Sequence, residues 1–383
     1  MSEQCILENS SSSSKSVFLV LGCPRSGTSA ITRCLPVFGA NLFGQLMGPS
    51  QTNNRGHWEN IDVHKINEQL MALSGVEDIS SGSINPEELS KKSFYPELLS
   101  RAVEELNSGF RTSDDVGIKN PRCALYLFFW QDVIRRVGAR DRYIIAVRNP
   151  RSVVHSLRAF MQVRRLLGYA LWLEHTVRAV QDTFGKPRVV VAYEDLLEDP
   201  VLQVQRIGRE LGISERINQK ELEFYSERFI DCDLNHTQFE AASLKKHCPE
   251  LPLVFDFYDL LCRRASDQID EKTFLQRWEP LYARYRVEMP EYCRAYPWLL
   301  NSRQSREKWL IYAWYKARHI GLKDALGTWV INRLKNIKSH QRNLPEKQAN
   351  GFHTICSMEN TPEKKIVEPV SPVFSFEQKS SVS

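Results

Sequence analysis

The sequence predicts an α/β protein built on a central, mostly parallel sheet with helices on both faces, and three observations carry that expectation. Four short apolar, β-rich runs occur at 17–21, 116–119, 143–147 and 189–192. Longer stretches with helical patterning separate and follow them, at about 27–35, 62–73, 95–106, 124–137, 150–160, 164–184 and 200–211. Continuous apolar strands separated by helices are the pattern of a parallel sheet covered on both sides. Each run also passes directly into a polar cluster, at 22–29, 119–122, 148–151 and 193–195. Ligands of open α/β sheets bind at the carboxyl ends of the strands, so the four clusters converge on one site.

The bulk numbers fit this reading. With 383 residues, 42% hydrophobic and 25% charged, the chain has an ordinary globular composition. Single cores stop growing near about 250–300 residues, which allows one large domain or two medium ones. The pattern assigns a domain to 16–300, a polar serine-rich tail to 1–15, a basic helical extension to 301–340 and a low-complexity tail to 341–383. Nine scattered cysteines without a C-x-x-C pair argue against a disulfide framework and against a structural zinc site. The N-terminal residues lack the basic and apolar regions of a secretory signal, and no apolar run approaches the ~18 residues of a spanning helix. A cytoplasmic chain is expected. The net charge of +5 is mild, and no nucleic-acid partner is expected.

The most informative cluster is G-C-P-R-S-G-T-S at 22–29. Gly22 and Gly27 let the backbone turn tightly and approach an anion, and the helix that follows presents unpaired N–H groups. The spacing G-x-x-x-x-G matches a phosphate-binding loop, but Thr28 stands where a nucleoside triphosphatase needs lysine, and the charge sits instead at Arg25. Cys23 has no visible base partner and reads as a small filler. A second cluster runs R-N-P-R-S-V-V-H-S from Arg148 to Ser156. Arg148 ends a strand, Pro150 begins a helix, and Ser156 follows two turns later, a spacing that brings guanidinium and hydroxyl to one anion.

Together these segments resemble the sulfotransferases that use 3′-phosphoadenylyl sulfate (PAPS), particularly the bacterial and carbohydrate type. The loop at 22–29 is similar to the family's P-K/R-S-G-T-[ST] pattern, and Arg148-Asn-Pro with Ser156 is similar to its R-[ND]-P…S pattern. The segment Y-E-D-L-L-E-D-P from Tyr193 is similar to its Y-E-D…D-P pattern. The resemblance covers about 15–215. It implies a P-loop-like three-layer fold in which Pro24, Arg25, Ser26, Gly27, Thr28 and Ser29 hold the 5′-phosphosulfate. Arg148 and Ser156 would hold the 3′-phosphate, with Tyr193 beside them. It further implies no metal, because PAPS has no γ-phosphate to activate.

Sulfuryl transfer needs nucleophile and leaving group in line and a counter-charge for the developing anion. Arg25 and Lys119 are the cations placed for that, and Arg122 is either an anion partner or a salt-bridged loop residue. Cytosolic members carry a histidine base in K-T-H-L-P, whereas this chain reads G-I-K-N-P-R at 117–122. The local candidate is Glu59 in R-G-H-W-E, a stretch similar to the G-[YFH]-[WF]-E of carbohydrate-type members, in which an acidic residue is the base. Burial beside Trp58 would raise its pKa toward a useful range, with Trp58 lining the acceptor site. His57 is the rival base, and Glu59 as a cap for the helix near Asp62 is the alternative role. Phe128-Phe-Trp130 reads as core, and His155, His175, His236 and His247 lack metal-ligand spacing.

Residues 305–338 interleave Trp309, Tyr312, Trp314, Tyr315 and Trp329 with lysine and arginine. Such a helix either packs on the core with solvated charges outside or makes peripheral contact with an anionic membrane or acidic polymer. The acceptor, a small molecule, carbohydrate or lipid, is not readable, nor is the oligomeric state. A P-loop small-molecule kinase and a catalytically silent nucleotide-binding module are the rival functions.

Overall fold

The computed structural model describes residues 15–50, 56–74, 84–161, 163–230, 239 and 243–295. The tail at 1–14, the basic extension at 301–340 with its aromatic stretch 305–338, the tail at 341–383 and His236 lie outside the described residues.

The strands are β1 (Ser16–Leu21), β2 (Asn41–Leu42), β3 (Asp115–Lys119), β4 (Arg140–Val147) and β5 (Arg188–Ala192). They form one parallel sheet in the order β2-β3-β1-β4-β5. All four expected strands are present. The fifth, β2, has two half-buried residues beside Val116 and Gly117, too few to show any period.

The central strand shows why the sheet is covered on both faces. Val17, Leu19 and Leu21 point into one core and Phe18 and Val20 into the other, all without solvent exposure. Each such burial contributes about 1.5–3 kcal/mol. The α-helices are, in chain order, α1 (Thr28–Thr32), α2 (Ile61–Ser74), α3 (Pro86–Ser90), α4 (Tyr95–Gly109), α5 (Leu127–Arg136), α6 (Pro150–Met161) and α7 (Arg165–Gln181). After β5 come α8 (Tyr193–Glu198), α9 (Pro200–Glu210), α10 (Gln219–Phe224), α11 (Ser243–His247), α12 (Leu253–Ala265) and α13 (Glu271–Ala295). Leu70 of α2, Leu98 of α4, Val153 of α6 and Trp172 of α7 fill the first core; Ile31 of α1, Leu196 of α8 and Ile207 of α9 fill the second. Phe129 and Trp130 are core residues, as their pattern indicates.

Two expected helices are shorter than their patterns. The stretch 27–35 is the five-residue α1 followed by a 3-10 turn, Leu35–Phe38. Pro36 has no N–H to donate back to the preceding turn, which stops the α-helix. The stretch 124–137 splits into a 3-10 turn at Pro121–Ala124 and α5. Beyond 211, α12 and α13 add Phe257 and Trp278 to the first core. Ion pairs from Arg206 to Asp267 at 2.8 Å and from Arg188 to Glu271 at 2.7 Å tie them to α9 and β5. Among the described residues, no helix is long and apolar enough to cross a membrane.

Candidate active site

The carboxyl ends of β1, β3, β4 and β5 build two adjoining clusters around the loop 22–29. The loop is shaped by two glycines that nothing else could replace. Gly22 has φ 144°, and a Cβ there would lie 2.7 Å from the Ala146 carbonyl oxygen of β4. Gly27 has φ 82°, and its Cβ would lie 2.0 Å from the ring of Tyr193, the first residue of α8. The Tyr193 ring therefore rests directly on the turn.

Arg25 also adopts a left-handed conformation, φ 72°, which costs a non-glycine residue about 1–2 kcal/mol. Its Nε donates to Ser156 Oγ at 2.8 Å, and its guanidinium lies 4.9 Å from the centre of the Phe160 ring. Arg148 Nη1 donates to the Arg25 carbonyl at 3.2 Å, while the Arg148 guanidinium sits over Tyr193 at 4.7 Å. Burial, and then the neighbouring Arg148 charge, push the Arg25 pKa down. Two guanidinium groups held this close by a strained turn make a site for anionic charge. Ser26 Oγ, buried in the same loop, has no hydrogen-bond partner among the described residues. Thr28 is buried at the start of α1.

The second cluster is charge-balanced. Lys119, at the end of β3, places Nζ 2.6 Å from Glu59 Oε1, with both side chains buried. The same Nζ donates to the His57 carbonyl at 3.1 Å and to Ser29 Oγ at 3.4 Å, so the ammonium borders the far end of the loop. Asn120 Nδ2 donates to Glu59 Oε2 at 2.7 Å. His64, one and a half turns further on, lies 3.4 Å from the same oxygen through Nδ1 and 3.0 Å from Glu68 through Nε2.

Several expectations are corrected by this geometry. Glu59 was expected to have a raised pKa. Burial does push it up, but the Lys119 charge and the hydrogen bonds it receives win, holding it at about 2. Nor is Glu59 the helix cap. Asn60 Oδ1 accepts from the Asp62 and Val63 N–H groups at 2.8 and 3.0 Å and caps α2 instead.

Trp58 takes φ 56° and packs its ring against Phe229 at 6.1 Å and the Arg33 guanidinium at 5.9 Å. The left-handed turn at Trp58 sends adjacent side chains in different directions. The His57 ring meets Ser50 Oγ at 2.8 Å, so His57 meets Lys119 through its backbone. Burial and then the Lys119 charge lower the His57 pKa, which leaves the ring neutral near pH 7. Arg122 stands in the 3-10 turn after Asn120, whose Oδ1 accepts its N–H at 3.0 Å.

The structure thus brings Arg25, Arg148, Ser156 and Tyr193 together at one end of the loop and Lys119, Glu59 and Ser29 at the other. Asn120, His64 and Glu68 were missed by sequence reasoning. The available signal was the helical spacing of Glu68 four residues after His64, with Glu59 just ahead of the helix.

A parallel five-stranded sheet with a glycine-shaped loop after its central strand, and a buried carboxylate–ammonium pair beside that loop, marks an α/β protein with a candidate site at the carboxyl ends of its strands. The sulfotransferase-family profile matches residues 17–216, a little over half of the chain, and the chain belongs to that family. Among solved structures, the sulfotransferase domain from the Synechococcus PCC 7002 olefin synthase is similar at 18% identity. That match covers 61% of this chain and 87% of the other, with a TM-score of 0.35. No curated protein sequence matches.

Proposed function

We propose that this transferase moves a sulfuryl group from PAPS to a hydroxyl or amine of a small-molecule, carbohydrate or lipid acceptor. The supporting observation is the division of one loop between two clusters. Arg25, Arg148 and Ser156 gather at one end, and Lys119 with Glu59 at the other. The residues present suit a donor with two separate anionic groups. Gly22 and Gly27 give backbone access, Ser26 Oγ is a buried hydroxyl awaiting a partner, and two guanidinium groups supply counter-charge. PAPS supplies a sulfuryl group on a good leaving group, adenosine 3′,5′-bisphosphate.

The chain's own groups then divide the work. Arg148, Ser156 and Arg25 hold phosphate charge, with Tyr193 closing over the turn. Lys119 turns its ammonium toward the sulfuryl oxygens past Ser29. Each fraction of positive charge that Lys119 shares with an incoming anion is withdrawn from Glu59. The carboxylate then becomes more basic, since burial alone raises it. Glu59 thereby becomes able to take the acceptor's proton as the anion arrives. His57, neutral and adjacent, is the rival base.

Calorimetry in EDTA tests the donor half. Adenosine 3′,5′-bisphosphate should bind without metal, and binding of ATP–Mg in its place would overturn the reading in favour of a kinase. Binding of the bisphosphate without any turnover of PAPS would identify a silent nucleotide module.

A further inference from the structure

The hydrogen-bond pattern around His64 fixes its proton. Asn120 Oδ1 accepts the Arg122 N–H, which orients the amide so that Nδ2 faces Glu59 Oε2 at 2.7 Å and His64 Nδ1 at 3.1 Å. One Nδ2–H serves the carboxylate and the other serves the imidazole. His64 Nδ1 is therefore an acceptor, and Nε2 carries the hydrogen donated to Glu68 Oε1 at 3.0 Å. Glu59 Oε2 and His64 Nδ1 then lie 3.4 Å apart as two acceptors bridged by the Asn120 amide, whose second N–H occupies the single Nδ1 lone pair. Glu59 and His64 are both buried, whereas the Glu68 side chain is 23% exposed.

We propose that His64 is the relay and positioning residue that carries the acceptor's proton from Glu59 to Glu68 and so to solvent. The inference rests on Glu59 being the base. As the acceptor oxygen gains the sulfuryl group, its O–H bond breaks and the proton joins Glu59 Oε2. The Asn120 N–H leaves Nδ1, the Oε2–H bond breaks as Nδ1–H forms on the lone pair so freed, and the resulting imidazolium is paired with Glu68. Nε2–H then transfers to Glu68 Oε1, which releases the proton to water. His64 is left as the Nδ1–H tautomer and returns to Nε2–H by exchange with solvent. Beside Lys119 the protonated Glu59 carboxyl strongly favours losing its proton, and His64 is the buried group next to Oε2 that can take it. Among the described residues, His64 is faced by Glu59 and His57 from the segment before α2 and by Glu68 on α2 itself, with Lys119 of β3 on the far side of Glu59.

The test uses the full chain labelled with 15N-histidine, read by long-range imidazole 1H–15N spectra. The expected resting state is the Nε2–H tautomer with Nδ1 accepting. A resting Nδ1–H tautomer, already donating to Glu59, would overturn the relay. The second measurement is slow transfer of sulfuryl from labelled PAPS to water, followed against pH. His64→Asn should lower kcat about tenfold or more with KM for PAPS within twofold, and should displace the acidic limb of the kcat profile. Glu68→Gln, a milder change at a part-exposed site, should displace the same limb. Loss of kcat with the limb unmoved in both variants would make His64 a structural residue only. Calorimetry with adenosine 3′,5′-bisphosphate separates the failures. If the wild-type chain does not bind it, the donor reading falls, whereas a resting Nδ1–H tautomer with bisphosphate binding intact overturns the relay alone.

Discussion

The two ends of the loop at 22–29 differ in how they treat charge. At the Arg25 end, like charges are crowded: a left-handed residue holds its guanidinium against Ser156 while Arg148 stacks on Tyr193 nearby. At the Lys119 end, opposite charges are matched, with a buried ammonium and carboxylate 2.6 Å apart and Asn120 Nδ2 donating to the carboxylate. Crowded cations store unfavourable energy that an arriving dianion relieves, so that end is built to bind. A matched pair is at rest until something competes for one member, so that end is built to respond. One loop thus links the two clusters, through the hydrogen bond from Lys119 to Ser29.

The sharpest way to break this contrast is to silence the responsive end alone. Glu59→Gln should lower turnover of PAPS by about 10²–10⁴-fold while leaving the calorimetric affinity for adenosine 3′,5′-bisphosphate within twofold. Equal turnover would move the base to His57. Next in size, Lys119→Met strands a buried carboxylate and should cost about 3–5 kcal/mol in urea unfolding at pH 7.

The same variant sharpens the pH dependence. Glu59 is depressed from the usual 4.5 to about 2 in the fold, so its contribution is present above the unfolded pKa and lost as pH falls between about 4.5 and 2. Melting temperatures should show that acid loss in the wild type and much less of it in Lys119→Met. At the binding end, Arg148→Ala should weaken the bisphosphate by about 1.5–3 kcal/mol in calorimetry, with a shallower salt dependence. Smallest, Ser156→Ala should cost about 0.5–1.5 kcal/mol of the same affinity, since it removes one hydroxyl and leaves both guanidinium groups.

The contrast also separates what could be read in the sequence from what could not. The binding end was legible because its requirements are local: glycines where the backbone must turn, and an arginine and a serine two helical turns apart. The four longer strands were legible for the same reason, each containing a short, mostly apolar run. The responsive end is assembled from residues about sixty positions apart. Glu59 meets Lys119 and Asn120 only because β3 runs beside β1, and no spacing announces that encounter. Its charge state was misjudged accordingly, because burial was visible in the apolar surroundings and the ammonium was not. The direction of Trp58 depends on a backbone angle that sequence does not display for a non-glycine residue. Helices α11 to α13 carry the first core's outer layer, but their apolar positions match no motif and gain meaning only against the sheet and helices they cover.

The Tyr193 ring lying on Gly27 has a consequence for how the cradle comes into being. The turn belongs to the first strand, yet its cover arrives at the end of the fifth, more than a hundred and fifty residues later. Between them β4 must already be in place, because Gly22 is fitted against Ala146. The shape of the turn is therefore a property of the completed sheet, set by groups that reach it from β4 and from the end of β5.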